Sequence, residues 1–163
     1  MEKAALKEHR RHSTADKPFS YYISNIPEYF PNAPMHWHKE FELNVILEGE
    51  GDFVTGDIHF TAYKGDIVLT PPDMLHAVYQ HDDKRCVYDT LDLDGSMLGS
   101  RDNDRAADAF IVPLISGAYS IETHITPEHC YYSELLTTAE NMISAAKGCL
   151  LYTSPSPRDI SGS

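Results

Sequence analysis

Cysteine is scarce: three residues, Cys86, Cys130 and Cys149, in a chain of 163. The number is odd and no C-x-x-C spacing occurs, which argues against a disulfide framework or a zinc ribbon and for a reducing compartment. Basic residues are few as well. Lys and Arg number 13 against 25 Asp and Glu, a formal net charge of −12, whereas a domain that grips nucleic-acid phosphates by counterion release carries a basic patch. The locally basic stretch Lys3, Lys7, Arg10, Arg11 and Lys17 is diluted by Glu2, Glu8 and Asp16 and reads as a solvated leader. No apolar run approaches the roughly 18–20 residues of a membrane-spanning helix, and the N-terminus lacks the apolar stretch of a secretory signal. These absences predict a soluble, cytoplasmic protein with no membrane partner and no direct nucleic-acid binding. What remains, 42% hydrophobic and 23% charged, is ordinary globular composition and one domain's worth of chain.

Residues 1–17 lack apolar periodicity and are expected to be a flexible leader. Pro27, Pro31 and Pro34 then make an extended entry segment unsuited to a helix interior. Short runs rich in β-formers follow at even spacing: Phe41–Leu47, Phe53–Thr55, Ile58–Tyr63, Ile67–Thr70, His76–Gln80 and Cys86–Leu93, after an earlier run at Phe19–Ile23. Gly-containing turns at 48–51, 55–57 and 64–66 separate them. The pattern predicts an all-β sandwich or barrel over residues 18–125, with a loop and short helix near 106–110, a last strand at Ala118–Ile125, and a solvated acidic run between Asp82 and Asp108. From Thr126-Pro127-Glu128 the period changes. Tyr132, Leu135, Leu136, Ala139, Met142, Ile143 and Ala146 recur at steps of three and four, predicting one amphipathic helix over 126–148 that ends at Lys147-Gly148. Residues 149–163 turn to Ser, Pro and Gly and are expected to be a disordered tail. The string from Cys149 to Asp159 also resembles the conceptual translation of a sequencing-library adaptor, which makes the tail non-native in expectation.

The chemistry concentrates in Met35-His36-Trp37-His38-Lys39-Glu40-Phe41-Glu42. On a strand, side chains two apart share a face, so His36, His38, Glu42 and Asn44 point one way while Trp37, Phe41, Leu43 and Val45 point the other. Both faces need cover, which places the polar groups in a barrel cavity and the apolar face under the C-terminal helix or a partner. His76 supplies a further imidazole, and Gln80, four residues on, is expected to face inward too. Three imidazoles and one carboxylate suit a divalent transition metal such as Fe, Mn, Ni, Zn or Cu. The same groups suit direct hydrogen bonding to a small ligand. Phe19, Tyr21 and Tyr22 fit either a cavity lid or ordinary edge-strand packing. Trp37 reads as outer packing, and His59, His81, His124 and His129 as surface or helix-start residues.

The spacing resembles the cupin family. His36, His38, Glu42 and Gly49 match its first motif, H-x-H-x(3,4)-E-x(6)-G; Gly65, Pro71 and His76 match its second, with Asp73 where Gly is usual and Gln80 where Asn is usual. The resemblance implies a double-stranded β-helix barrel, mainly all-β, followed by the amphipathic α-helix. Over roughly residues 19–147 the chain is similar to the N-terminal sensor half of AraC-type transcriptional regulators. That likeness implies a small polar effector, a sugar or similar metabolite, held by His36, His38, Glu42, Asn44, His76 and Gln80. It also implies a homodimer through the helix, a DNA-binding domain outside this chain, and no catalytic residues. The alternative is a small metal-dependent cupin enzyme, a dioxygenase or sugar isomerase, using His36, His38, Glu42 and His76 as ligands.

Overall fold

The computed structural model describes residues 3–10, 12–97, 105 and 107–153. Its strands are β1 (Phe19–Ile26), β2 (Asn32–His36), β3 (Phe41–Thr55), β4 (Ile58–Tyr63), β5 (Ile67–Thr70), β6 (His76–Gln80), β7 (Cys86–Leu93) and β8 (His124–Ile125). A short helix α1 (Val112–Ile115) precedes β8, and a long helix α2 (Tyr132–Thr153) follows it. The architecture is mainly β with a C-terminal helix, as expected. One sheet runs β1-β7-β3-β5-β8, and a second is formed by β2, β6, β3 and β4, every pairing antiparallel.

β3 belongs to both sheets. The sequence pattern predicts two strands broken by the turn at 48–51, but the chain stays extended through it. The ladder to β7 shifts register between Ile46 and Glu48, a bulge that bends the strand from one sheet into the other. Gly49 permits the bend. Its φ is +75°, and a Cβ there would lie 1.7 Å from the Arg85 carbonyl oxygen. Asp73, standing where the cupin motif has glycine, likewise has φ +61°, a conformation that Asp tolerates better than most residues.

Two apolar clusters follow from strand parity. Phe41, Leu43 and Val45 face outward with Ile67, Leu91, Leu93 and Ile125, and α2 covers them with Ala139, Ile143 and Ala146. Ile46 faces inward with Ile26, Phe53, Val68, Val78 and Tyr88 between the sheets. The helix stripe therefore packs on the barrel, while Glu134, Thr137, Thr138, Glu140, Asn141 and Ser144 remain exposed.

Three local expectations need correction. The leader is not loose: Glu8 N–H donates to the Trp37 carbonyl (3.0 Å), the Trp37 indole N–H to the Lys3 carbonyl (2.7 Å), and the Ser20 hydroxyl to the His12 carbonyl. Its backbone groups are paired with Trp37 and Ser20, so it needs no apolar period. Of the strand expected at Ala118–Ile125, His124 and Ile125 form β8 on β5; the ladder stops because Pro71 and Pro72 follow β5 and cannot donate. The helix begins at Tyr132, after a turn in which His129 N–H donates to the Thr126 carbonyl (3.0 Å), and runs through Gly148 to Thr153. A single helical glycine costs only about 1 kcal/mol, and Leu150 and Leu151 favour continuation. The readings for residues 98–104, 106 and 154–163 lie outside the described residues. Among the described residues no helix is long and apolar enough to cross a membrane.

Candidate functional site

The inner face of the barrel holds a cavity of about 460 Å³. His36 closes β2, His76 opens β6, Glu42 is the second residue of β3, and His38 sits in the link between β2 and β3. Cross-strand pairing sets His36 opposite His76 and Glu42 opposite Asp92. One ligand atom from each of His36, His38, Glu42 and His76 falls within a group spanning at most 4.8 Å.

The tautomers of two histidines follow from their acceptors. His36 Nδ1 lies 2.7 Å from the Pro34 carbonyl oxygen and His76 Nδ1 lies 2.8 Å from that of Met74. A carbonyl only accepts, so each Nδ1 carries the proton, and in the neutral ring Nε2 offers its lone pair. That is how metal-ligating histidines are usually oriented. His76 Nε2 is buried with no hydrogen-bond partner and stands 3.4 Å from Glu42 Oε2. His38 Nε2 stands 3.3 Å from the same oxygen. Glu42 Oε1 accepts from Asn44 Nδ2 (2.7 Å), and Asn44 Oδ1 accepts from the Thr90 hydroxyl (2.6 Å). The donor set, the locked rings and the free buried Nε2 fit a divalent transition metal.

Burial opposes charge on Glu42, but His76 and His38 prevail and hold its carboxyl well below the usual carboxylate range. Burial likewise pulls His76 down, and Glu42 more than offsets it, so His76 ends above the ordinary imidazole value. His36 is lowered by burial and by its neighbour His76.

Not every expected residue reaches the cavity. Asn44 is buried behind the lining, bracing Glu42 and Thr90. Gln80 is elsewhere: its Nε2 donates to the Lys84 carbonyl (3.1 Å). It shares the face of His76 and Val78, but four residues of strand carry it about 13 Å along β6, to the hairpin end. Tyr22 lines the cavity, whereas Phe19 and Tyr21 pack outside against the α2 cluster. Trp37 meets Lys3 and Lys7, whose ammonium groups lie 5.5 and 5.4 Å from its ring centroid. His124 is half-buried rather than superficial, stacked on Phe60 at 4.2 Å and 2.8 Å from Asp66. Among the described residues Cys86 is buried without a polar partner, and burial pushes its thiol up to about 12.

Three groups join the site without being expected. His12 is buried with its Nδ1 2.7 Å from Asp92 Oδ2 and its Nε2 2.9 Å from Glu8 Oε2. Burial disfavours its charge, yet the two carboxylates raise it to about 11. Asp92 is pushed upward by burial and by Glu42, against the pull of His12. Glu8, His12 and His38 form a second cluster of potential ligand atoms within 4.8 Å. The parity of β7 carries a signal for Asp92, since Tyr88, Thr90 and Asp92 share one face. Glu8 and His12 carry none, because an aperiodic segment has no readable register.

Among known proteins, the family model for the AraC-like ligand binding domain matches residues 20–107. The uncharacterized HTH-type transcriptional regulator YdeC of Bacillus subtilis is 27% identical over 89 residues. That match takes in 54% of this chain and 31% of the relative, so the chain spans about a third of the relative's length. Among solved structures, a cupin protein from Bacteroides fragilis is 18% identical with a TM-score of 0.46, covering 52% of this chain and 73% of the other. A Cupin 2 conserved barrel domain protein from Salinispora arenicola is 19% identical with a TM-score of 0.42, covering 55% and 75%.

Proposed function

Because the chain belongs to the AraC-like ligand binding domain family, we propose that it is the sensing part of a transcriptional regulator and holds a small-molecule effector between its two sheets. The observation that carries this reading is the cavity of about 460 Å³, a size ordinary for a small-molecule site. It is edged by His36, Glu42 and His76, with His38 and Asn44 directly behind. All five lie within the matched span. In this reading another part of the regulator reads DNA, in keeping with the −12 charge of this chain.

Effector binding acts on two neighbours of the cavity. The leader reaches its mouth through Glu8, Arg10 and His12, so a ligand that touches them biases how the leader docks. β1 and β7 line the cavity with one face and meet α2 with the other. Tyr21 and Lys147 both bond the Asp89 carboxylate, at 2.6 and 3.0 Å, tying helix to sheet. The homodimer in this reading forms beside α2, where Met142 and Ala145 share an apolar groove with Phe19, Leu93 and Met97.

Thermal-shift measurement against a panel of sugars, amines, carboxylic acids and nucleosides tests the reading. At least one class is expected to raise the melting temperature of the wild type and not that of His76→Ala. Silence of the whole panel refutes it.

A second reading, a metal-dependent enzyme, draws on the convergence of His36, His38, Glu42 and His76 within 4.8 Å. A metal there would supply Lewis-acid polarisation of a bound oxygen, with Asn44 steadying Glu42. Elemental analysis after metal-replete expression separates the two. Stoichiometric metal lost in the His36→Ala/His76→Ala variant supports a metal centre; none in the wild type sinks the enzyme reading.

A further inference from the structure

The cavity has two unlike ends, and strand register orders them. At one level Glu42 pairs with Asp92, and His36 with His76; further along, Ile46 pairs with Tyr88 and Ala33 with Val78. The first level is ionic. The second belongs to the apolar cluster between the sheets, with Phe30 packed against it.

Between the two levels, Thr90 and Asn44 are already spent on one another and on Glu42. Thr90 donates to Asn44 at 2.6 Å and Asn44 donates to Glu42 at 2.7 Å, while the Tyr22 hydroxyl, 3.2 Å from His12 Nδ1, can only accept there because that N–H faces Asp92. Among the described residues, the buried side-chain atoms without a hydrogen-bond partner in or behind this cavity are His38 Nδ1, His76 Nε2 and Asp92 Oδ1. All three stand at the ionic end. Asp92 Oδ1 can only accept as a carboxylate oxygen, and both N–H groups of the His12 imidazolium are taken by Asp92 and Glu8. Arg10, the remaining cation of the lining, is exposed and stacked over the Tyr22 ring at 4.3 Å.

A sugar carries hydroxyls on every side. Seated here, it would bury several of them against Val78, Tyr88 and Phe30 without partners, at roughly 1–3 kcal/mol each. Resting on the sensing reading above, we propose that this cavity takes an amphipathic molecule. An ammonium-type head that donates hydrogen bonds meets the facing carboxylates of Asp92 and Glu42, and a compact apolar tail lies against Phe30, Val78 and Tyr88. An anionic head would meet the carboxylates of Glu42 and Asp92 instead. The effector class narrows from polar metabolites in general to small hydrophobic amines.

Calorimetric titration of the chelator-treated full chain with 2-phenylethylamine, phenylacetate and glucose tests this. The amine is expected to bind, phenylacetate at least about ten-fold more weakly, from charge repulsion at close range, and glucose not measurably. Ala33→Trp, which fills the apolar end, is expected to weaken the amine at least about ten-fold, a loss of roughly 1.4 kcal/mol. Asp92→Asn, which leaves the apolar end intact, is expected to do the same and serves if Ala33→Trp does not fold. Glucose or phenylacetate binding as tightly as the amine overturns the inference while leaving a ligand-sensing cavity in place. Amine binding unchanged in both variants, or no binding by any probe, also overturns it. Only silence of the wider panel would carry the sensing reading down as well.

Discussion

Replacing His12 by leucine isolates the contribution of the leader. In the native chain the imidazolium sits between Asp92 at 2.7 Å and Glu8 at 2.9 Å, and the Asp92 side chain is 1% exposed. At an effective dielectric of about 20, each charge pair at about 4 Å is worth roughly 4 kcal/mol before desolvation. His12→Leu removes the cation and leaves Asp92 buried across the strand from Glu42, a configuration that typically costs about 3–5 kcal/mol. An escape limits the loss. The leader is tied by the Lys7 bridge to Trp37, the Ser20 bond to the His12 carbonyl and the Ser13 bond to Glu40, and it can undock and let water reach Asp92. The expected loss of global stability is therefore about 2–3 kcal/mol, below the full burial penalty. It should come with faster amide exchange around Glu8 and Ser13 and unchanged protection in β3. Urea unfolding at pH 7 gives the first quantity and hydrogen exchange the second. Asp92→Asn in the His12→Leu background should restore roughly half of the loss, because it removes the stranded charge. Strict additivity of the two substitutions, or a cost below about 0.5 kcal/mol for His12→Leu, would refute the buried ion triad.

Two further substitutions test the frame. Gly49→Ala places a methyl group 1.7 Å from the Arg85 carbonyl oxygen at φ +75°; it should cost more than about 3 kcal/mol and disrupt the β3 bend, read as loss of soluble protein or of the cooperative unfolding transition. Lys147→Ala removes the 3.0 Å contact to buried Asp89. Burial opposes the Lys147 charge, while Asp89 and Tyr21 outweigh it and raise the group above its ordinary 10.5. A raised lysine stabilises fully below its unfolded value and loses that contribution as pH climbs through the folded one. With the side chain 45% exposed, the wild-type advantage should be about 1 kcal/mol, constant from pH 7 to 9 and shrinking only above the ordinary lysine range. A difference that fades between pH 6 and 8 would contradict the assignment.

The legibility of the sequence tracks its periodicity. Alternation along Phe41–Leu47 separates Glu42 and Asn44 from Phe41, Leu43 and Val45, and the structure keeps that division between the inner face of the sheet and the face under α2. The spacing of His36, His38, Glu42 and His76 suffices to bring four donors together, although His38 lies in a link outside the strands and arrives by the chain's turn rather than by parity. Gln80 shows the limit of the same rule: parity gives the face of a strand but not the height along it. Asp92 lay hidden in a run of acids that composition reads as solvated surface, while its place opposite Glu42 depends on the β3–β7 register.

By itself the sequence determined the mainly β architecture, the four-donor constellation and the amphipathic helix, because each is written in local spacing that backbone geometry converts directly into a face or a turn. Tertiary structure alone decided the rest. The continuity of β3 through Gly49, the docking of the leader, the burial of Asp92 beside His12 and the two unlike ends of the cavity all depend on groups distant in sequence meeting in space. Whether a polar group is spent on a neighbour or left for a ligand is settled only when that neighbour arrives.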